Sequence, residues 1–326
     1  MKAAQRDRYG PPEVVSVRDV ETPVPVDDQV LVRVRAASVN RADLDGLYPR
    51  WQLTRLFLGL RNPRIHGVGL DVAGLVESVG PSATRFRPGD DVFADLYSFR
   101  QGAFAEYVCA REKAFATMPA GMSYEDAATL PHSAILALQA LHYRDAGSIS
   151  PGAKVMIVGS SGNVGPFAVQ IAKSRGAEVT GVASTDKLDF VRSLGVDHVI
   201  DYKKVDYTRT GERYDWIVDV DAHHSILRWR GALRPGGSYV ALGGSGSWLL
   251  KSLVQSPALS LATRRPVGLL LGWKPFNPAD VEALKQLIAA GKLKPVIDRR
   301  YPLSEVVDAL RWVDDGHAKG KVVITL

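Results

Sequence analysis

Lys154-Val155-Met156-Ile157-Val158-Gly159-Ser160-Ser161-Gly162-Asn163-Val164-Gly165, continued by Pro166 to Ser174, reads as a buried strand, a glycine turn and an amphipathic helix in direct succession. Its glycines recur at 159, 162 and 165, a GxxGxxG spacing. In such a turn the first glycine permits a tight bend, the second lets backbone approach a pyrophosphate, and the third lets helix and strand pack closely. N–H groups at the helix start and the helix dipole then favour phosphate. The bare pattern is weak, because glycines also serve ordinary turns; its place between a strand and a helix gives it weight. An ATPase loop would close with Gly-Lys-Ser/Thr, whereas this helix opens Asn163-Val164-Gly165-Pro166, which disfavours ATP hydrolysis. The expected ligand is a dinucleotide.

Working outward, the alternation continues. Strand Glu178 to Ala183, helix Lys187 to Ser193, strand Val199 to Ile200, strand Trp216 to Val220, helix Ser225 to Leu233, a turn at Arg234-Pro235-Gly236-Gly237 and strand Ser238 to Leu242 predict a doubly wound parallel sheet. Upstream, short strands at Val14 to Val17, Gln29 to Ala37, Gly74 to Val79, Asp91 to Phe93 and Ala105 to Cys109 lie between Gly/Pro turns, so residues 1–122 read as a mostly β lobe. Ser123 with Asp126 marks a helix start, and an apolar helix Ala134 to Tyr143 before Gly147 bridges the lobes. Downstream come the apolar run Val267 to Leu271, helices Pro278 to Ala290 and Ser304 to Asp314, and a closing strand Lys321 to Thr325 that is expected to rejoin the first lobe. The organisation expected is therefore 1–122, 123–272 and 273–326.

Composition agrees with an ordinary folded protein. A chain of 326 residues suggests two domains, and 46% hydrophobic with 23% charged residues argues against disorder. Cys109 stands alone, so no internal disulfide forms, and Met1 to Gly10 lacks the apolar core of a signal peptide; a cytoplasmic protein is expected. No apolar stretch is long enough to span a bilayer. The formal net charge of +6 permits nucleic-acid contact, but the basic groups at Arg33 to Arg41, Arg228 to Arg234 and Lys251 to Arg265 lack interleaved aromatics, which favours a solvated surface.

The second strand decides which dinucleotide. An acid at its end would hold the adenosine ribose of NAD, yet the sequence there is Ala183-Ser184-Thr185-Asp186-Lys187. Ser184 and Thr185 leave room and offer hydroxyls, and Lys187 adds a charge suited to a 2'-phosphate, so NADP(H) is preferred. Asp186 is the counter-evidence, two residues beyond the expected point; an unremarkable surface Asp/Lys pair is the plainer reading of it.

Motifs in both lobes carry a resemblance: Ser38-Val39-Asn40, Gly46-Leu47-Tyr48-Pro49, Gly69-Leu70-Asp71-Val72-Ala73-Gly74, Phe86-Arg87-Pro88-Gly89-Asp90, Gly102-Ala103-Phe104-Ala105-Glu106-Tyr107, Ala128-Thr129-Leu130-Pro131, Leu194 to Tyr202 and His317 to Ile324. In this order they resemble the medium-chain dehydrogenase/reductase superfamily, in its zinc-independent quinone oxidoreductase branch. The resemblance implies an α/β fold in which a Rossmann domain is inserted in a GroES-like, mostly β catalytic domain built from both chain ends, often as a homodimer. It implies hydride transfer from NADPH to a quinone or an α,β-unsaturated carbonyl. Zinc members place cysteine where this chain has Asn40 and histidine where it has Leu70, so no catalytic metal is expected; Asp43, His66 and Asp71 read as structural carboxylates and a loop histidine. The implied oxyanion donors are Asn40 and Tyr48. The implied cofactor contacts are Gly159, Ser160, Ser161, Gly162, Asn163, Val164, Gly165, Ser184, Thr185, Lys187, Tyr202, Leu242, Gly243, Gly244 and Lys319.

The chain departs from that pattern near the nicotinamide end. Related members often have Gly at 163, Thr at 136 and Val-Gly at 221 and 222; here stand Asn163, Leu136, Asp221 and Ala222. Pro131-His132 and Asp221-Ala222-His223-His224 suggest an acid/base group of His132, Asp221 and His223, with histidines on a solvated loop as the plainer reading. Trp248 to Trp273, with Lys251, Arg264 and Arg265, is open to two uses: a substrate channel, or an edge strand Val267 to Leu271 that pairs with a second copy. A carbonyl or alcohol oxidoreductase, a biosynthetic tailoring enzyme, and a cofactor-sensing or RNA-binding protein on the same scaffold stay open as alternatives.

Overall fold

The computed structural model describes residues 1–49, 55–99, 102–142, 149–263, 267–270 and 273–326. Tyr143, Gly147, Arg264, Arg265 and Leu271, singled out above, lie outside the described residues. The chain forms two units: residues 1–135, 275–289 and 295–326, and residues 136–274 with 290–294.

The first unit opens with β1 (Lys2–Gln5) and β2 (Ser16–Asp19), paired antiparallel. The strand expected at Val14 to Val17 begins later, because Pro11 and Pro12 start a 3-10 turn over Pro12–Val14. Strand β3 (Gln29–Val39) alternates little and is buried along most of its length, as a central strand should be. After α1 (Arg41–Leu47) and the short α2 (Arg55–Leu58) come β4 (Asp71–Val79), β5 (Asp91–Asp95), β6 (Tyr107–Arg111) and β7 (Phe115–Thr117). Ser123 caps α3 (Tyr124–Ala128) by accepting from the Asp126 N–H, as its position predicts. This helix packs on β3 and β4 with Ala127 and Ala128 fully buried, so the first unit runs past Ser123. The chain leaves it within α4 (Ser133–Ala140), after Ile135.

In the second unit β8 (Lys154–Val158), α5 (Gly165–Ser174), β9 (Glu178–Ala183), α6 (Leu188–Ser193), β10 (His198–Asp201), β11 (Tyr214–Asp219), β12 (Leu233–Ala241), α7 (Gly246–Thr263) and β13 (Val267–Leu269) follow in turn. The six strands are all parallel in the order β10-β9-β8-β11-β12-β13. This is the 3-2-1-4-5-6 order of doubly wound nucleotide-binding sheets, which bind ligands outside the strands' carboxyl ends near the point of reversal. Two expectations fail locally. Ser225 to Leu233 forms a 3-10 turn over Ile226–Gly231, and Arg234 to Gly237 is absorbed into β12, where Gly236 takes φ +78°. Helix α7 was not expected at all. Trp248 and Leu259 are buried while Leu250, Leu253, Val254 and Leu261 are exposed, so apolar residues occupy both faces and Pro257 interrupts the run.

The chain returns to the first unit with α8 (Pro278–Ala289), β14 (Ile297–Pro302), α9 (Val306–Asp314) and β15 (Lys321–Thr325). As expected, the closing strand joins the first sheet, antiparallel to β3; β14, not foreseen, pairs with it in parallel. The sheet runs β14-β15-β3-β4-β5-β7, with β6 also on β3.

Candidate functional site

The glycine turn leaves the carboxyl end of β8, and its three glycines differ in their surroundings. Gly159 has φ +78°, and a Cβ there would come 3.2 Å from the Val220 Cβ. At Gly165, the first residue of α5, a Cβ would overlap the Gly159 carbonyl oxygen and the Ser160 backbone. Around Gly162 the one atom near an added Cβ is the Gly159 carbonyl oxygen, 3.7 Å away. The turn is thus tight beneath and open at its second glycine, which fits a pyrophosphate approached by backbone. Ser160, expected among the cofactor contacts, is buried and its hydroxyl donates to the Val182 carbonyl at 3.0 Å, stitching the turn to β9. Ser161 is also buried, Asn163 is half-buried, and Val164 precedes the helix.

Pairing of β9 with β10 sets Ala183 beside Asp201, so Ser184 to Lys187 and Tyr202 leave the sheet side by side. Ser184 and Lys187 are buried and Tyr202 is half exposed. Thr185 is not a spare donor, since its hydroxyl donates to Asp201 at 2.6 Å. Exposed Asp186 accepts a hydrogen bond from Ser184 and sits 3.8 Å from Lys203; the bond from Ser184 chiefly holds its carboxyl below the usual range. At the end of β12, the Leu242 N–H donates to the Asp219 carbonyl and the Ala222 N–H to the Gly243 carbonyl, which lays Leu242, Gly243 and Gly244 along 219–222. Lys319 belongs to the first unit, two residues before Lys321.

A second polar group is built into the first unit. The β3–β4 register sets Ser38 beside Asp71, and the β3–β15 register pairs Val39 with Val322, so the next step brings Lys321 against Asn40. The Lys321 Nζ donates to Asn40 Oδ1 at 2.6 Å and Ser133 Oγ at 3.1 Å, and lies 3.4 Å from Asp71 Oδ2. Asn40 Nδ2 donates to Asp71 at 2.9 Å, as does the Ser38 hydroxyl at 3.1 Å. All five residues are buried, and burial pushes the Asp71 carboxyl up and the Lys321 ammonium down. Both ends of the Asn40 carboxamide, expected to donate to an oxyanion, are hydrogen-bonded within the protein. Tyr48 likewise donates its hydroxyl to Asp314. Nor do these residues fit a metal, because an ammonium already takes the Asn40 oxygen and faces Asp71. Leu70 is fully buried apolar packing. Among the described residues no group of three or more His, Cys, Asp or Glu could hold a metal ion. Asp43 caps α1 by accepting from the Asn40 N–H at 2.7 Å, and His66 bonds the Arg6 carbonyl on a loop.

Of the expected group, His132 belongs to the first unit and Asp221 and His223 to the second. In the first, His132 Nδ1 lies 2.9 Å from Asp95 Oδ2, and the His132 N–H donates to Asp71 Oδ1 at 2.9 Å. In the second, Asp221 and His223 form their own pair at 3.3 Å on largely exposed side chains. Sequence reasoning missed Asp95, Ser133 and Lys321. Their signal was a polar residue at the end or start of an apolar strand or helix, which becomes informative only once strand register is known.

Asp219 ends β11 and is 1% exposed, with Tyr239 donating to its Oδ2 at 2.9 Å. Burial raises its carboxyl to about 7 despite that bond. A folded-state value above the unfolded one means stability present below about pH 4 and lost as pH rises through 7. Wild-type protein should therefore lose on the order of 2–4 kcal/mol more than Asp219→Asn between pH 4 and pH 8 in urea unfolding. Equal pH slopes for the two proteins would contradict this.

Comparison with known proteins agrees with this architecture. The alcohol dehydrogenase GroES-like domain matches residues 26–120 and a zinc-binding dehydrogenase model matches residues 194–324. The chain is 31% identical to the mitochondrial NAD(P)H oxidoreductase RTN4IP1 of Homo sapiens, over 98% of this chain and 88% of that protein. It is 32% identical to the chloroplastic quinone-oxidoreductase QR1 of Triphysaria versicolor, over 99% and 98%. Both relatives are named as organellar, whereas the sequence reading expects a cytoplasmic enzyme; among the described residues no helix is long and apolar enough to cross a membrane. The quinone oxidoreductase structure from Coxiella burnetii superposes with a TM-score of 0.85 at 28% identity, covering 100% of this chain and 99% of that one. With a Rossmann sheet, a GroES-like first unit and these relatives, the chain belongs to the medium-chain dehydrogenase/reductase superfamily, in its quinone oxidoreductase-like branch, and is a nicotinamide-dependent oxidoreductase.

Proposed function

We propose that this protein is a zinc-independent reductase that uses NADPH to reduce quinones or α,β-unsaturated carbonyls. The observation that carries the reading is the turn at Gly159, Gly162 and Gly165, closed beneath by backbone and open at Gly162. When bound, the reduced nicotinamide supplies the hydride. The turn and the first residues of α5 hold the pyrophosphate, and Ser184, Lys187 and Tyr202 receive the 2'-phosphate where β9 and β10 end side by side. Zinc independence is supported by the Lys321 ammonium on Asn40. Homodimer formation is supported by β13, an edge strand paired only with β12 among the described residues. Against nucleic acid, Arg33, Arg41, Arg228 and Arg234 each lie within 3.3 Å of a carboxylate of Glu77, Asp314, Asp206 or Asp215.

The test is oxidation of NADPH and NADH with a panel of quinones, enones and aldehydes. Turnover with quinones or enones and preference for NADPH are expected. Lys187→Ala should raise the KM for NADPH about 10-fold or more while leaving that for NADH within about twofold, the worth of a charge-assisted contact to phosphate. Tight NADPH binding without oxidation by any acceptor would favour cofactor sensing instead.

A further inference from the structure

Helix α7 is apolar on the side that folding leaves uncovered. Trp248 and Leu259 are buried in the core of the second unit. Leu250, Leu253, Val254, Pro257 and Leu261 follow one another at intervals of three, one, three and four, the spacing of a single helical face. All five are exposed, Val254 by 78% and Leu261 by 83%. The stripe runs about 16 Å along the helix.

The charge around the stripe is one-sided. From Ala222 to Ala279 the sequence holds seven lysines and arginines and no aspartate or glutamate, although the whole chain carries 35 acids. Trp248, Lys251 and Gln255, three and four residues apart, share one flank of α7. Trp248 Nε1 donates to the His224 carbonyl at 2.7 Å and the Ser225 hydroxyl donates to Gln255 at 2.9 Å, which lays the 3-10 turn Ile226–Gly231 beside that flank. The turn presents Leu227, 51% exposed, and an exposed Arg230. Arg228 and Arg234 are answered by Asp206 and Asp215. Lys251 and Arg230 are exposed and have no ion pair among the described residues.

We propose that this face of the second unit, the aliphatic stripe of α7 with Lys251 and Arg230 beside it, docks on an anionic lipid surface. All of these residues belong to the second unit, and the inference does not depend on the reductase reading. Aliphatic side chains on such a helix enter the boundary between headgroups and acyl chains, while the cations stay among the lipid phosphates. Among the described residues no helix is long and apolar enough to cross a membrane, so the contact is with one leaflet. The stripe suits lipid better than protein, because it is wholly aliphatic and lacks the Trp, Tyr and Arg side chains that anchor protein interfaces. A two-fold contact of this face with a second copy would gather Lys251 and Arg230 from both copies, with no acid from 222–279 to offset them. Anionic headgroups supply that charge.

The test is co-sedimentation of the full chain with vesicles of equal parts phosphatidylcholine and phosphatidylglycerol, and with vesicles of phosphatidylcholine alone. Wild-type protein should bind the anionic vesicles, more weakly as salt is raised, and bind the neutral ones far less. Leu253→Gln combined with Val254→Gln should weaken binding to anionic vesicles at least 10-fold, roughly the worth of two aliphatic side chains. Lys251→Gln combined with Arg230→Gln should weaken it about 10-fold at low salt and leave the residual binding to neutral vesicles unchanged. All four side chains are exposed, so both double variants should melt within a few degrees of wild type. Absence of wild-type binding to anionic vesicles, or undiminished binding by the folded Leu253→Gln, Val254→Gln variant, overturns the proposal. Equal wild-type binding to both kinds of vesicle overturns the assignment to anionic lipid. A wild-type dimer that ignores vesicles, and that Leu253→Gln with Val254→Gln turns into a monomer in analytical ultracentrifugation, would also overturn it and make this face a contact between copies.

Discussion

Lys321→Met costs about 3–5 kcal/mol of unfolding free energy for the first unit, the range for breaking a buried ion pair from one side. The Lys321 side chain is 1% exposed and that of Asp71 fully buried, so removing the ammonium leaves a desolvated carboxylate behind. Asp71 would keep Ser38, Asn40 and the His132 N–H as donors, but not a counter-charge beside its Oδ2. The Asn40 oxygen would lose its shortest contact, at 2.6 Å. The cost falls on the carboxylate, so it should shrink at low pH as Asp71 takes up a proton, a tendency burial already imposes on it. Adding Asp71→Asn to Lys321→Met should recover most of the loss, because a buried pair replaced on both sides is often near neutral. Urea unfolding of wild type, both single variants and the double variant closes the cycle. A loss below about 1 kcal/mol in Lys321→Met would mean that this lysine is no part of a desolvated network.

The same residues show how far the sequence could be read. Strands β8 and β9 fall at their expected residues because each is a short apolar run rich in valine bounded by turn residues, a local signal. The contact between Lys321 and Asn40 joins positions 281 apart in the chain, and nothing in Lys321 to Thr325 says which strand will lie beside it. His132 was visible as an oddity after Pro131, but its partner was sought at Asp221, where the sequence offered an acid among histidines. Within the first unit it meets Asp95, 37 residues upstream, because β4 pairs with β5 and brings Asp71 opposite Asp95. Helix α7 was illegible for another reason. With apolar residues on both faces it has no single period to detect, and its fold depends on packing against β12 and β13.

Alanine at Gly165 and alanine at Gly162 should fail in different ways, and the difference tests the turn as a phosphate site. At Gly165 the new Cβ would stand 2.5 Å from the Ser160 Cα and carbonyl carbon. Both are backbone atoms, so the turn must open or α5 must shift; a stability loss of about 1–3 kcal/mol is expected, as for overpacking elsewhere. Displaced N–H groups at the start of α5 then cost NADPH affinity as well, about 100-fold, or close to 3 kcal/mol. At Gly162 the nearest atom to a Cβ is 3.7 Å away, so Gly162→Ala should melt within a few degrees of wild type. Its methyl group nonetheless enters the space through which backbone approaches the pyrophosphate, and NADPH affinity should fall at least 10-fold. Calorimetric titration with NADPH and thermal melts of both variants separate the two effects. Wild-type affinity in Gly162→Ala would show that the pyrophosphate does not lie against this glycine, and the cofactor reading of the turn would have to be given up.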